Sequence, residues 1–367
     1  MNRVINNLNY NNSILTLIEE IKNDFIKNIP HIKYILLTGS GGRDELSYLK
    51  YEGNIRLFSD LEFFVLIDHN KNLMSKIEKK RLQKKIASKY NNIKLATKFF
   101  HVDFTISTLD HIEKEQSMLA YETLQKSKLI YGDIEEYKKQ IKSYRHNSKG
   151  IDNVDIKDIN NILLYRHYSI LNAISLSAAN NFDYTTDMYA ICRNSLDLLS
   201  IILYINKIYK VTYKEKVDYL NNINNCSKLK NNIFSAIINN SEFIEFINNS
   251  YCYKVNPYII TDNKEVKNYM KLYLKYSNYL HSELIKDEYS YYKTLSKSKL
   301  FMWRAYFSLI KEKNIGLYLK SLRYNYYLIY IEIDKILKGI VNDEIQDKQY
   351  ISNISKIYKS MFPYAVE

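Results

Sequence analysis

Two carboxylates, Asp60 and Glu62, lie two positions apart in the otherwise apolar stretch "DLEFFVLID". In a β-strand, side chains at i and i+2 point to the same side, so both carboxylates would project together while Leu61 and Phe63 face the opposite layer. A strand tolerates two such charges only if they are solvated, share a proton or bind a cation. The pair is therefore a candidate cation-binding site.

A third carboxylate, Asp103, lies in the apolar stretch "KFFHVDFTIS", with Val102 and Phe104 on either side. If this strand lies beside the first, all three carboxylates can converge. Hard oxygen ligands that leave room for water and phosphate suit Mg²⁺. Nearby His101 has a simpler interpretation, a structural contact with Asp103. The spacing thus predicts a magnesium site made of the three acidic residues.

The turn "TGSGG" precedes these strands. Three of the chain's eight glycines fall within four positions there, at Gly39, Gly41 and Gly42. Glycine lets backbone N–H groups approach a phosphate closely, and Ser40 adds a hydroxyl donor. Arg43 and Glu45 follow, and they either brace the turn through a local ion pair or place Arg43 against a phosphate. We expect an anion-binding turn.

Together these motifs resemble the nucleotidyltransferase superfamily, which includes polymerase β, the kanamycin and lincosamide nucleotidyltransferases and the minimal bacterial nucleotidyltransferases. The family combines a glycine-serine turn, often extended as G-S-x-x-R-G-E, with an acidic-apolar-acidic triplet and a third acidic residue on a later strand. The matching positions are Gly39, Ser40, Gly42, Arg43 and Glu45, then Asp60 and Glu62, then Asp103. The segment "LQKSKLIYGD", residues 124–133, is similar to the one that closes this domain in many bacterial members. The resemblance covers roughly residues 10–135.

Two features depart from the family pattern. Nineteen residues separate Ser40 from Asp60, which is longer than is typical of the family and implies an inserted loop "LSYLKYEGNIRLF". The second carboxylate is Glu62 rather than an aspartate. Both are compatible with a specialised enzyme or with one that has lost its activity.

The resemblance implies transfer of a nucleoside monophosphate from a nucleoside triphosphate such as ATP to an acceptor, with release of pyrophosphate. Asp60 and Glu62 would hold Mg²⁺ against the phosphates, and Asp103 would bind a second metal and help activate the acceptor. Gly39, Ser40 and Gly42 would cradle the triphosphate, with Arg43 as a further phosphate contact. Replacement of Asp60 by alanine would then abolish activity and, by relieving repulsion, leave the metal-free protein as stable or more stable.

The acceptor implied is a small molecule, a sugar or a protein. Two alternatives remain open. One is a protein of this fold that binds nucleotide in a regulatory role, without turnover. The other keeps the enzyme and makes RNA the acceptor, which requires RNA affinity that falls steeply with salt.

Hydrophobic periodicity gives the elements around these residues. A helical pattern over 13–28 precedes the strand "IKYILLTG", and a basic amphipathic helix over 73–90 separates the two acidic strands. This order predicts a nucleotidyltransferase-like mixed sheet with flanking helices over residues 1–145, with the helices up to about residue 135 on one side of the sheet. From 150 to 367 the spacing is helical nearly throughout, which predicts a helical bundle that binds the acceptor or acts as a lid. The fold class is therefore α+β.

The chain carries a formal net charge of +13 and has a pI near 9.2, which indicates an anionic partner. Because the lysines look scattered and lack interleaved aromatic platforms, nucleic acid is not the favoured partner. No run approaches the ~18 apolar residues that span a bilayer, so no membrane span is predicted. The first residues lack the apolar core of a secretory signal, and we expect a cytoplasmic protein.

Overall fold

The structure is a computed structural model. It describes residues 10–51, 54–68, 74–90, 100–114, 121, 123, 125–147, 156–178, 183–208, 210–222, 232–285 and 326–342. The chain divides into two compact units. The first contains Met1–Asp155, Lys207–Lys216 and Val255–Pro257, and the second contains Ile156–Asn206, Val217–Lys254 and Tyr258–Glu367. Two short segments from the later part of the chain thus belong to the first unit, although the sequence places them within a separate helical domain.

The first unit is built on a small mixed sheet. Its elements are α1 (Asn12–Asn28), β1 (Ile32–Leu37), α2 (Gly39–Gly42), β2 (Tyr48–Tyr51), β3 (Asn54–Leu57), β4 (Leu61–Ile67), α3 (Lys76–Tyr90), β5 (Val102–Ser107), α4 (Leu109–Lys114), β6 (Lys128–Tyr131) and α5 (Ile134–Asn147). Four strands pair in the order β5-β4-β1-β6. β1 is antiparallel to both β4 and β6, whereas β4 and β5 are parallel. The predicted mixed sheet is confirmed.

Helices cover both faces of this sheet. On one face, buried residues of α1 and α3, such as Phe25 and Ile86, pack with alternate strand residues such as Phe63. On the other face, α4 and α5 contribute residues such as Ile112 and Tyr137 to a second core. The expectation that the helices lie on one side is therefore wrong. Because β4 is buried on both faces, an apolar layer is required on each.

The long spacer between the glycine turn and the acidic strand folds into an antiparallel hairpin of β2 and β3. The amides of Phe58 and Ser59 donate to the carbonyl of Ser47, at 3.0 and 3.3 Å, and the Ser47 amide donates to Ser59 Oγ at 2.9 Å. Ile55 and Leu57 lie buried in the first core. Because the two ends of the hairpin meet, the insertion adds length to the chain without separating the turn from β4.

In its described part, the second unit contains helices and no strand. Its helices are α6 (Ile156–Ala178), α7 (Tyr184–Ile205), α8 (Tyr213–Asn221), α9 (Asn232–Ile238), α10 (Ser241–Val255), α11 (Asn263–Ile285) and α12 (Tyr326–Val341), of which α8 begins in the first unit. α6 packs on α7, α7 on α11, α11 on α12, and α12 on α6. With the mixed sheet of the first unit, these helices confirm the α+β class.

Helix α7 is long and apolar enough to cross a membrane by length and composition alone. Of its most apolar window, 83% is buried inside the protein. The core helix of a folded domain passes the same test, so α7 is weak evidence for a span. It is the one such helix among the residues described.

Candidate functional site

The glycine turn lies directly against the carboxylate of Glu62. Gly39 has a φ of +55°, which favours glycine, and a Cβ built on it would fall 2.0 Å from Glu62 Oε2. The Thr38 amide donates to the backbone carbonyl of Glu62 at 2.8 Å. The backbone conformation favours glycine here, and a Cβ would also displace the Glu62 carboxylate. The turn and the acidic strand therefore form one surface.

The turn is also closely packed from outside. A Cβ at Gly42 would fall 2.7 Å from the carbonyl oxygen of Leu37 and 3.0 Å from that of Lys126, in the segment that leads into β6. The hydroxyl of Tyr10 donates to the Gly41 carbonyl at 2.6 Å. Burial, together with the charges of nearby carboxylates, raises the pKa of Tyr10, so its hydroxyl remains a donor. The turn is thus held in one shape by contacts on several sides.

Glu62 and Asp103 lie side by side. They are register partners on the parallel strands β4 and β5, which are about 4.8 Å apart in such a sheet. Their neighbours Phe63 and Phe104 point into the first core, so the two carboxylates share the opposite face. Asp103 is exposed and Glu62 is partly buried. The structure thus brings these two predicted residues together, beside the glycine turn.

Asp60 is placed differently from the other two carboxylates. It precedes β4, is 7% exposed, and its Oδ1 accepts a hydrogen bond from the His101 amide at 3.2 Å. His101 Nδ1 lies 2.8 Å from the same oxygen. The Leu61 amide donates to the His101 carbonyl at 3.1 Å, which continues the contact between the two chain segments. The sequence suggested Asp103 as the partner of His101. The contact of His101 with Asp60 follows from the register of the parallel strands, which the sequence does not show.

The side chains at this site are carboxylates at the ends of two strands, with one imidazole. Among the residues that the structure describes, no three His, Cys, Asp or Glu side chains form a group ready to hold a metal ion. Glu62 and Asp103 nevertheless supply oxygen donors on one face, as the chemistry of Mg²⁺ requires. Asp60 is the third carboxylate here, and its Oδ1 is in contact with His101.

Arg43 and Glu45 form the local ion pair considered from the sequence. Arg43 Nε lies 3.2 Å from Glu45 Oε2, and the two side chains are 11% and 4% exposed. The Arg43 guanidinium also lies 5.6 Å from the ring centroid of Tyr213. These contacts favour a bracing role for Arg43, and its assignment as a phosphate ligand stays a prediction.

A segment far along the chain completes the support of the turn, and sequence reasoning missed it. We call Lys207–Lys216 the strap. The Lys214 amide donates to Glu45 Oε1 at 3.1 Å, and Lys126 Nζ lies 3.3 Å from Glu215 Oε1. Thr212 and Glu215 cap the start of α8 reciprocally, since the Glu215 amide donates to Thr212 Oγ1 at 3.0 Å and the Thr212 amide to Glu215 Oε2 at 3.1 Å.

The charge state of Glu215 follows from these contacts. Burial acts to raise the pKa of its carboxyl, but hydrogen bonds from the Thr212 and Val211 amides and the charge of Lys126 outweigh burial and lower it. The carboxylate is therefore ionised at neutral pH. The T-x-x-E pattern at 212–215 was a sequence signal for the helix start, although not for its place beside the turn.

Comparisons with known families and curated proteins found no match. No model of a known protein family matches the chain, and no curated protein matches its sequence. Function is therefore inferred from the residues and their geometry.

Proposed function

We propose that this protein is a metal-dependent nucleotidyltransferase of the nucleotidyltransferase superfamily. It transfers a nucleoside monophosphate from a nucleoside triphosphate, with ATP as the first candidate, to an acceptor and releases pyrophosphate. The first unit is the catalytic domain, and the helical unit binds the acceptor or acts as a lid. The acceptor proposed is a small molecule, a sugar or a protein.

The observation that carries the proposal is the contact of Gly39 with Glu62, beside the register pair of Glu62 and Asp103. A turn that binds phosphate and a carboxylate pair that binds a cation must be adjacent for either to act on a triphosphate. Here the Glu62 carboxylate lies so close to the turn that a Cβ on Gly39 would displace it. The long spacer does not count against the proposal, since its hairpin closes on itself between Ser47 and Ser59.

The residues fit a magnesium ion by the chemistry of their donors. Glu62 and Asp103 would hold it, with Asp60 as a further carboxylate at the end of the same strand. Bound Mg²⁺ supplies neutralisation of the triphosphate charge and of the charge that develops during transfer. A two-metal arrangement needs all three carboxylates.

The chain's own residues then act mainly by positioning. The glycine turn holds the phosphates through backbone amides and the Ser40 hydroxyl. Asp103 is the more exposed member of the register pair, and its carboxylate is the group proposed to accept the proton of the acceptor hydroxyl. Arg43 and Glu45 keep the turn in shape, supported by the strap.

The proposal is tested with the full chain, Mg²⁺ and each nucleoside triphosphate, in the presence of cell extract as a source of acceptors. We expect pyrophosphate release with at least one base, and transfer of α-labelled nucleotide to an acceptor that mass spectrometry identifies. Glu62→Gln and Asp103→Asn each remove a charge without changing size, and each should lower the rate by a factor of roughly a hundred or more.

Glu20→Gln is the matched control, because it removes one exposed carboxylate on α1 in the same unit. It should leave the rate unchanged. Equal activity of wild type and the Asp103→Asn variant would remove Asp103 from the catalytic site, and absence of turnover with every base and extract would refute the proposal.

One alternative is supported by a specific contact. Because the His101 amide and ring contact Asp60 Oδ1, that oxygen is less available to a metal than the family pattern implies. A regulatory protein that binds nucleotide without turnover would show this arrangement in its working state. Calorimetry that detects Mg²⁺-dependent ATP binding, without pyrophosphate release in any extract, would favour this alternative.

A further inference from the structure

The positive charge of the chain is concentrated in one segment. Between residues 69 and 98 lie nine lysines, one arginine and one glutamate, a net charge of +9 out of +13 for the whole chain. Although the lysines look scattered when read along 367 residues, this segment of 30 holds more than two thirds of the net charge. Its described part is helix α3.

Helix α3 has two distinct faces. On one, Ile86 and Tyr90 are buried in the first core, and Gln83 Nε2 donates to the Phe104 carbonyl of β5 at 2.5 Å. The exposed face carries a row of basic side chains at helical spacing. These are Lys80, Arg81, Lys84, Lys85 and Lys89.

The charges of this face repel one another. Lys80 and Lys84, and likewise Arg81 and Lys85, are four residues apart, where like charges destabilise a helix. Glu78 is the single acidic residue in α3, and its carboxylate accepts a hydrogen bond from the Ser75 amide at 2.7 Å. At the far end, Lys89 Nζ lies 2.6 Å from Asp24 Oδ2. The middle of the row, around Lys84, therefore carries the largest excess of positive charge.

We propose that the exposed face of α3 binds the phosphodiester backbone of a nucleic acid. From Lys80 to Lys89 the row extends ~14 Å along the helix axis, the axial length of about four phosphates of one strand. A linear polyanion matches such a row, whereas a single phosphate engages one or two of its charges.

The buried face of α3 argues against a lipid surface. A basic helix that lies in a membrane inserts its apolar side, and here that side, with Ile86 and Tyr90, is already in the core. The exposed face has no aromatic residue on which a base could stack. Binding should therefore be independent of sequence and strongly dependent on salt.

The site of binding lies beside the strand that carries Asp103, since Gln83 contacts the residue next to it. If the chain is a nucleotidyltransferase, as proposed above, a nucleic acid held on α3 is a candidate acceptor. The binding itself does not depend on that activity, so the two are tested separately.

The test measures fluorescence anisotropy of labelled single-stranded RNA, and of DNA of the same sequence, over a salt series with the full chain. The variant Lys84→Gln/Lys85→Gln removes two charges from the middle of the row. We expect affinity to fall roughly tenfold or more at low salt, and the slope of log affinity against log salt to become shallower by about 1.4. The melting temperature should stay equal or rise, because repulsion within α3 is relieved.

Lys139→Gln/Lys142→Gln on α5 is the matched control, with the same loss of net charge from exposed lysines of the same unit. It should change affinity less than twofold. No RNA or DNA binding at low salt, or equal losses in both variants, would overturn the proposal. Binding to anionic vesicles that the α3 variant alone abolishes, with no nucleic-acid binding, would overturn it in favour of a membrane surface.

Transfer of labelled nucleotide to bound RNA separates the two proposals. If the wild type labels RNA and the α3 variant does not, both the transferase activity and the nucleic-acid surface are supported. Binding of RNA without labelling supports the nucleic-acid surface and removes RNA as the acceptor. A preference for RNA over DNA at equal salt would identify the biological form of the backbone.

Discussion

At the scale of single residues, the three acidic side chains divide into a buried one and an open pair. Asp60 accepts two contacts from His101 and is 7% exposed, whereas Glu62 and Asp103 face each other across two strands on the more open side. From the sequence alone, Asp60 is the charge whose removal is expected to relieve repulsion. The register pair is the better place for that effect.

Substitutions at Asp60 and Glu62 should accordingly change stability in opposite directions. Asp60→Ala leaves the His101 amide and ring without their acceptor and should lower the free energy of unfolding by about 1–3 kcal/mol. Glu62→Gln removes one of two adjacent like charges and should raise it by about 1 kcal/mol in the absence of metal. Urea denaturation of both variants without Mg²⁺ measures the two changes.

Asp60→Asn separates the lost hydrogen bonds from the lost charge, because its amide oxygen still accepts from the His101 amide. It should be destabilised less than Asp60→Ala. A gain of stability in Asp60→Ala would show that its repulsion with Glu62 outweighs its contacts, as the sequence argument assumed.

At the scale of elements, local patterns predicted the strands and helices that hold the site. A run of branched apolar residues that ends at glycine predicted β1. The alternation of apolar and acidic residues around Glu62 and Asp103 predicted β4 and β5, and also the sheet face on which each side chain lies. Both features depend on residues within one strand. They are therefore readable from the sequence.

Contacts between distant segments could not be predicted in this way. The strap meets Glu45 across 169 residues, and its capping pattern specifies only the start of α8. The sequence predicts only an inserted loop where the hairpin lies, because closure of the hairpin depends on the pairing of Ser47 with Ser59. The second apolar face of the sheet was missed for the same reason, since α4 and α5 carry only short buried stripes.

The strap gives a prediction of its own. Glu45→Ala removes the carboxylate that accepts from the Lys214 amide and that pairs with the partly buried Arg43. We expect a loss of about 2–4 kcal/mol in the free energy of unfolding. Trypsin should also cleave faster after the lysines of the strap, which lose an anchor.

Glu45→Gln keeps an oxygen for the Lys214 amide and should protect the strap from trypsin better than Glu45→Ala does. Glu20→Ala, an exposed residue on α1, is the control and should change neither measurement. Unchanged trypsin cleavage in Glu45→Ala would show that the strap is held by its other contacts, such as Lys126 with Glu215.

At the scale of the whole molecule, the helical unit has a buried core of its own, and that core contains titratable groups. The helical unit encloses His167 on α6, which is 0% exposed and lies 3.1 Å through Nδ1 from the Tyr273 hydroxyl. Burial lowers the pKa of His167 to about 4, against the smaller opposing effect of Asp334, and burial with the nearby His167 lowers the pKa of His281 to about 3. Both imidazoles are therefore neutral in the folded protein at pH 5 to 7.

These histidines should make the helical unit sensitive to mild acid. Their folded pKa values lie below the ordinary 6.5, so between pH 6.5 and about 4 the unfolded chain binds protons that the folded chain does not. The free energy of unfolding should thus fall as pH falls through this window, by up to about 1.4 kcal/mol per pH unit for each histidine. Melting curves measured from pH 7 to 5 isolate the effect, because most carboxylates stay ionised in that range.

Two variants test the assignment to His167. In His167→Gln, whose amide can still bond to Tyr273, the slope of the free energy of unfolding against pH should drop by about half. His111→Gln changes an exposed residue on α4 and should leave the slope unchanged. A slope that is the same in all three proteins would show that neither the burial of His167 nor its neutrality limits stability in acid.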